Sequence, residues 1–206
     1  MLAEIEGQVG PLVLSDGTSA PVRQDRAGSV VVTQSHGRYY EPAYRKNLHI
    51  AQAITTAMVI YSTAASTGGP ILYNPTGNAY NAVILAASFA VTTASTVIGA
   101  VGLTGGASTT QVVGTAIDGT TNSFLGGPAT TMTLARLGTP TSAGGFLLPL
   151  FPIGTTAVAS NTNGGGWVPI EGGLIVPPGF WVSLASSATM TTMVATGGLL
   201  WEEVPV

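Results

Sequence analysis

Residues 82–91 read Ala82-Val83-Ile84-Leu85-Ala86-Ala87-Ser88-Phe89-Ala90-Val91, and no charge interrupts the twenty-two residues from Ala82 to Leu103. On length alone such a stretch could cross a bilayer as a helix. Thr92, Thr93, Thr96, Ser88, Ser95, Gly99 and Gly102 argue against that, and no basic flank is present to orient a membrane helix. The alternation of Val83, Leu85, Ala87, Phe89 and Val91 with Ile84, Ala86, Ser88 and Ala90 has the period of two of a strand. It predicts that the first set faces a core and the second faces outward.

The surrounding sequence is punctuated in the same β grammar. Ile71-Leu72-Tyr73 ends at Asn74-Pro75-Thr76-Gly77-Asn78, where proline and glycine supply a turn. Further strands are predicted at Met58 to Tyr61, Thr96 to Val101, Thr130 to Leu137, Gly145 to Leu150, Leu174 to Val176, Phe180 to Leu184, Thr191 to Thr196 and Leu199 to Val204. No helical stripe runs through this region, and the strand count suits an all-β, two-sheet antiparallel sandwich. There is also an internal echo. Gly69-Pro70-Ile71-Leu72-Tyr73 turns through Pro75 and Gly77 into Ala82-Val83-Ile84-Leu85, and Gly173-Leu174-Ile175-Val176 turns through Pro177-Pro178-Gly179 into Trp181-Val182-Ser183-Leu184. Both phrases read as hairpins.

Charge divides the chain. Residues 1–50 carry Glu4, Glu6, Asp16, Arg23, Asp25, Arg26, Arg38, Glu41, Arg45 and Lys46, whereas residues 51–206 carry only Asp118, Arg136, Glu171, Glu202 and Glu203. The expected organisation is a charged N-terminal β-rich arm or small meander, 1–49, and a sandwich body, 50–206. Within the arm, Leu12-Val13-Leu14 before Asp16-Gly17 and Val30-Val31-Val32 read as short strands. Overall 7% of the 206 residues are charged, against about a quarter in ordinary soluble proteins. Other chains or uncharged polar groups must therefore cover the body, and a closed homo-oligomer is expected. A net charge of -3 and a pI near 5.1 give no case for nucleic acid. Two acids, Glu4 and Glu6, stand where an export signal would carry basic residues, so none is read.

Catalytic chemistry finds little to use. No cysteine is present, which excludes thiolate ligands and nucleophiles. His36 and His49 lack ligand-spaced neighbours beyond Glu41 and Asp25, and no Gly-x-Ser-x-Gly elbow is followed by a histidine. Glu202 and Glu203 are adjacent, so on a strand they point to opposite faces and cannot act as a facing pair. Asp118-Gly119 reads as a turn, and Gly164-Gly165-Gly166, with no lysine, as a surface loop. The expectation is a protein that is not an enzyme and takes no metal or cofactor.

The most distinctive local composition is Arg38-Tyr39-Tyr40-Glu41-Pro42-Ala43-Tyr44-Arg45-Lys46. Tyrosine and arginine are enriched at interface hot spots, so Arg38, Tyr39, Tyr40, Tyr44, Arg45 and Lys46, with Arg23 and Arg26, are the candidate contact residues. The alternative reading of the segment is a solvated strand joining arm to body.

The phrases Tyr73-Asn74-Pro75-Thr76-Gly77-Asn78, Val176-Pro177-Pro178-Gly179 and Leu200-Trp201-Glu202-Glu203-Val204-Pro205 resemble those of small bacteriophage virion proteins of jelly-roll type, among them head decoration, or cement, proteins. The resemblance covers most of residues 50–206. It implies a jelly-roll-like trimer in the virion, assembled in the host cytoplasm, whose partner is the major capsid protein, with no nucleic-acid or membrane partner. A tail or fibre component that binds a host receptor or glycan through Trp167 or Trp181 is the rival expectation. An enzyme acting on cell-wall polysaccharide is a third.

Overall fold

The computed structural model describes residues 7–8, 22–23, 38–52, 58–59, 69–93, 99–108, 113–116, 121–122, 133–139, 144–153, 165–187 and 194–206. The chain forms two compact units, Met1–Tyr40 and Glu41–Val206. In the first, β1 (Gly7–Gln8) and β2 (Val22–Arg23) pair in parallel. The arm strands expected at Leu12–Leu14 and Val30–Val32 lie outside the described residues.

The described part of the second unit is almost wholly β. After the short helix α1 (Tyr40–Tyr44), which begins at the last residue of the first unit, come β3 (Leu48–Gln52), β4 (Met58–Val59), β5 (Gly69–Asn74), β6 (Tyr80–Thr93) and β7 (Gly99–Ala107). Then follow β8 (Val113–Ala116), β9 (Thr121–Asn122), β10 (Leu134–Thr139), β11 (Gly145–Ile153), β12 (Gly165–Val176), β13 (Phe180–Ser186) and β14 (Val194–Pro205). One sheet has the order β12-β6-β14-β3-β9, with β4 also on β14, and the other β11-β7-β13-β5-β10-β8. Their ladders are antiparallel and the sheets pack into a sandwich, as the period of two and the turn spacing predict. β3 lies inside the first sheet, between β14 and β9.

The core combines Ile84, Phe89, Leu199 and Trp201 of the first sheet with Leu72, Val101, Leu103, Val182 and Leu184 of the second. Each such side chain, fully buried, contributes about 1.5–3 kcal/mol. The phase of β6 is as expected from Ala87 to Val91 and is shifted by one before Leu85. Ala82 and Ile84 face the core, followed by Ala87, Phe89 and Val91, while Val83 is half-buried. The cause is a bulge: Leu200 pairs with Ala86 and Trp201 with Ile84, leaving Leu85 as an extra residue that shifts the alternation by one.

The echoed phrases are arches, not hairpins. β5 and β6 belong to different sheets, as do β12 and β13, so each turn carries the chain from one sheet to the other. The arches lie side by side, with Phe180 paired to Asn74 and Val176 to Ala82. Fully buried Asn74 ties them: its Nδ2 donates to Tyr80 O at 2.8 Å and Val176 O at 2.9 Å, and its carbonyl accepts from Gly179 N at 2.8 Å.

Two glycine expectations also change. The strands expected at Thr191 to Thr196 and Leu199 to Val204 are joined in β14 through Gly197-Gly198, where a side chain at Gly198 would sit 2.6 Å from Ala51 O and keep β3 away. Gly165 and Gly166 open β12 rather than forming a loop.

Candidate contact surface

The segment Arg38–Lys46 is helical at its centre, not a joining strand. Pro42 fits the first turn of α1, where its missing N–H costs nothing. The helix ends in a Schellman arrangement: Asn47 N donates to Pro42 O and Lys46 N to Ala43 O, both at 3.0 Å, with Lys46 in the left-handed region at φ 64°. This stop places Tyr44, 51% exposed, beside exposed Arg45 and Lys46. Arg45 acts on Glu202 across the start of the first sheet. Burial pushes the Glu202 carboxyl above its ordinary value, and the Arg45 charge opposes that rise. In the first unit Arg38 is exposed, Tyr39 half-buried and Tyr40 44% exposed. Arg23 lies in β2, and Arg26 falls outside the described residues.

A second polar cluster is buried in the sandwich. As their adjacency predicts, Glu202 and Glu203 face opposite ways, and Glu203 is the buried one. Its Oε1 accepts from Thr133 N at 2.9 Å and Thr133 Oγ1 at 2.8 Å, while its Oε2 lies 3.7 Å from His49 Nε2. His49 stands opposite Trp201 in the ladder, with ring centroids 5.8 Å apart. Burial lowers the His49 pKa from its ordinary value, and the nearby Glu203 partly offsets this. Among the described residues, His49 Nδ1 and Trp201 Nε1 are buried and find no hydrogen-bond partner. Sequence spacing gave His49 only Glu41 and Asp25 as acidic neighbours; β3–β14 pairing supplies Glu203 instead.

The third feature is an apolar groove of about 160 Å³ lined by residues of β7, β11, β12 and β13. Exposed Leu147, Ile175 and Phe180 flank a floor that includes Trp181 and Gly105. Pro149 and Pro152 in β11, and Pro169 with the Ile170–Gly173 bulge in β12, interrupt the outer backbone edges. Such interruptions oppose strand-to-strand pairing and leave side chains as the means of contact. Trp167, on β12, is 53% exposed, whereas Trp181 is buried. No helix among the described residues is long and apolar enough to cross a membrane.

Comparison with protein-family models, with curated proteins and with solved structures finds no match.

Proposed function

We propose that the chain is a bacteriophage structural protein, a capsid decoration (cement) protein that acts without catalysis, trimerises through a jelly-roll-like sandwich and holds the major capsid protein with its basic, aromatic segment. The observation that carries this reading is the exposed Tyr44-Arg45-Lys46 cluster at a capped helix end, set on a sandwich nearly devoid of charge. Large aromatic area beside two cations suits a partly solvated protein interface. The uncharged groove beside Leu147, Ile175 and Phe180 supports self-association through side chains. Three copies match the threefold positions of a capsid lattice, and multivalency makes weak single contacts sufficient.

The test is binding to capsids that lack the protein. Replacing Arg38, Arg45 and Lys46 together by alanine weakens decoration, and the salt sensitivity of binding falls with it. Undiminished decoration by that variant overturns the contact assignment. Exposed Trp167 favours a second reading, a tail or fibre component binding a host glycan, since an open indole face can stack on a sugar ring. Adhesion to host cells with indifference to capsids selects that reading.

A further inference from the structure

We infer that His49 is a proton-operated latch that holds β3, and the contact segment leading into it, against the sandwich. β3 is five residues long and pairs with β14 on one side and with the two residues of β9 on the other. It follows Tyr44-Arg45-Lys46 by one residue, so release of β3 frees the C-terminal anchor of that cluster. His49 fixes the centre of this short strand. Its ring is buried against Trp201, its Nε2 faces Glu203, and Glu203 is itself held by the Thr133 N–H and hydroxyl.

The direction of the switch follows from the ring's two nitrogens. A neutral imidazole carries one N–H, whereas the protonated ring must donate from both. The second proton would fall on Nδ1, which is buried and has no acceptor within reach among the described residues. Attraction to Glu203 opposes this penalty, and desolvation is the larger effect. Among the described residues Glu203 is the one titratable group that faces the ring. Glu202 points from β14 to the other face, and β9 places Asn122 opposite His49. Arg136 of β10 and Tyr73 of β5 lie on the outer side of the second sheet, with Leu134 and Ile71. The latched strand therefore excludes the proton and the released strand accepts it, so acid opens the latch.

Peptide-level hydrogen exchange on the full-length protein, corrected for intrinsic rates, tests this. Below the ordinary histidine value of 6.5, protection of Leu48–Gln52 falls by up to about tenfold per pH unit relative to Trp181–Ala185 of β13, and His49→Gln abolishes the dependence. Equal protection of β3 on both sides of pH 6.5, or a dependence that persists in His49→Gln, overturns the latch. Should His49→Gln fail to fold, the ring resonances of the intact protein decide: titration of His49 at or above 6.5 refutes the inference, and titration below it supports it. Any effect of acid on capsid attachment rests on the proposed function. The exchange experiment does not, so the latch and the capsid reading fail separately.

Discussion

Replacing Glu203 by alanine tests the buried cluster against a control one residue away. Glu203 Oε1 accepts both the N–H and the hydroxyl of Thr133, which is 1% exposed. Truncation leaves two buried donors without this acceptor, each costing about 1–3 kcal/mol, and opens a void beside Trp201. The expected loss is therefore about 4 kcal/mol, a large share of the roughly 5–15 kcal/mol that holds a domain together. With a urea slope of about 2 kcal/mol/M, the unfolding midpoint drops by about 2 M. Glu202 belongs to the same strand but faces outward and is half-buried, so Glu202→Ala changes stability by no more than about 0.5 kcal/mol. Urea unfolding followed by tryptophan fluorescence, with Trp201 in the cluster, reads both variants. A Glu203→Ala loss below about 1 kcal/mol, or an equal loss in Glu202→Ala, refutes the assignment of faces and of the hydrogen bonds.

Gly198→Ala costs about 1–3 kcal/mol, because its methyl group meets Ala51 O at 2.6 Å and forces β3 from β14, whereas Gly145→Ala, with nothing within 4 Å, is close to neutral; thermal unfolding separates the two. Lys46→Gly stabilises the second unit by about 0.5–1 kcal/mol by removing a side chain from a left-handed position, measured as a rise in melting temperature. The lowered pKa of His49 makes its contribution complete above pH 6.5 and progressively lost as pH falls from there through the lower folded-state value, because the unfolded chain binds the proton first. Glu202, whose pKa is raised, acts in the opposite sense: its contribution is present below pH 4.5 and lost as pH rises through the folded-state value. Denaturation midpoints of the intact protein and of His49→Gln, compared across both windows, separate the two contributions.

The sandwich was legible because its strands carry the period of two and its turns carry proline and glycine in place. The inward face of β6 was legible at Ala87, Phe89 and Val91 but not before them, since Leu85 is an extra residue in the ladder and a bulge leaves no mark on a run of apolar residues. Composition likewise could not distinguish a hairpin from an arch: Pro75/Gly77 and Pro177-Pro178-Gly179 suit either, and only pairing with non-neighbouring strands assigns the turns to sheet crossings. The helical form of the Arg38–Lys46 segment was not legible, because a five-residue helix with proline in its first turn offers no periodic stripe. The surroundings of His49 were hidden for a different reason. Its partners Trp201 and Glu203 come from the other end of the chain, and antiparallel pairing of β3 with β14 is what joins them.

The most direct test of the functional account is to look for the chain in an image reconstruction of the proposed phage virion. The account predicts three copies of the sandwich around each occupied threefold position on the outer face of the shell, with Tyr44, Arg45 and Lys46 turned toward the capsid protein. Density for the chain confined to the tail or fibres, or single unassociated copies on the shell, would contradict it.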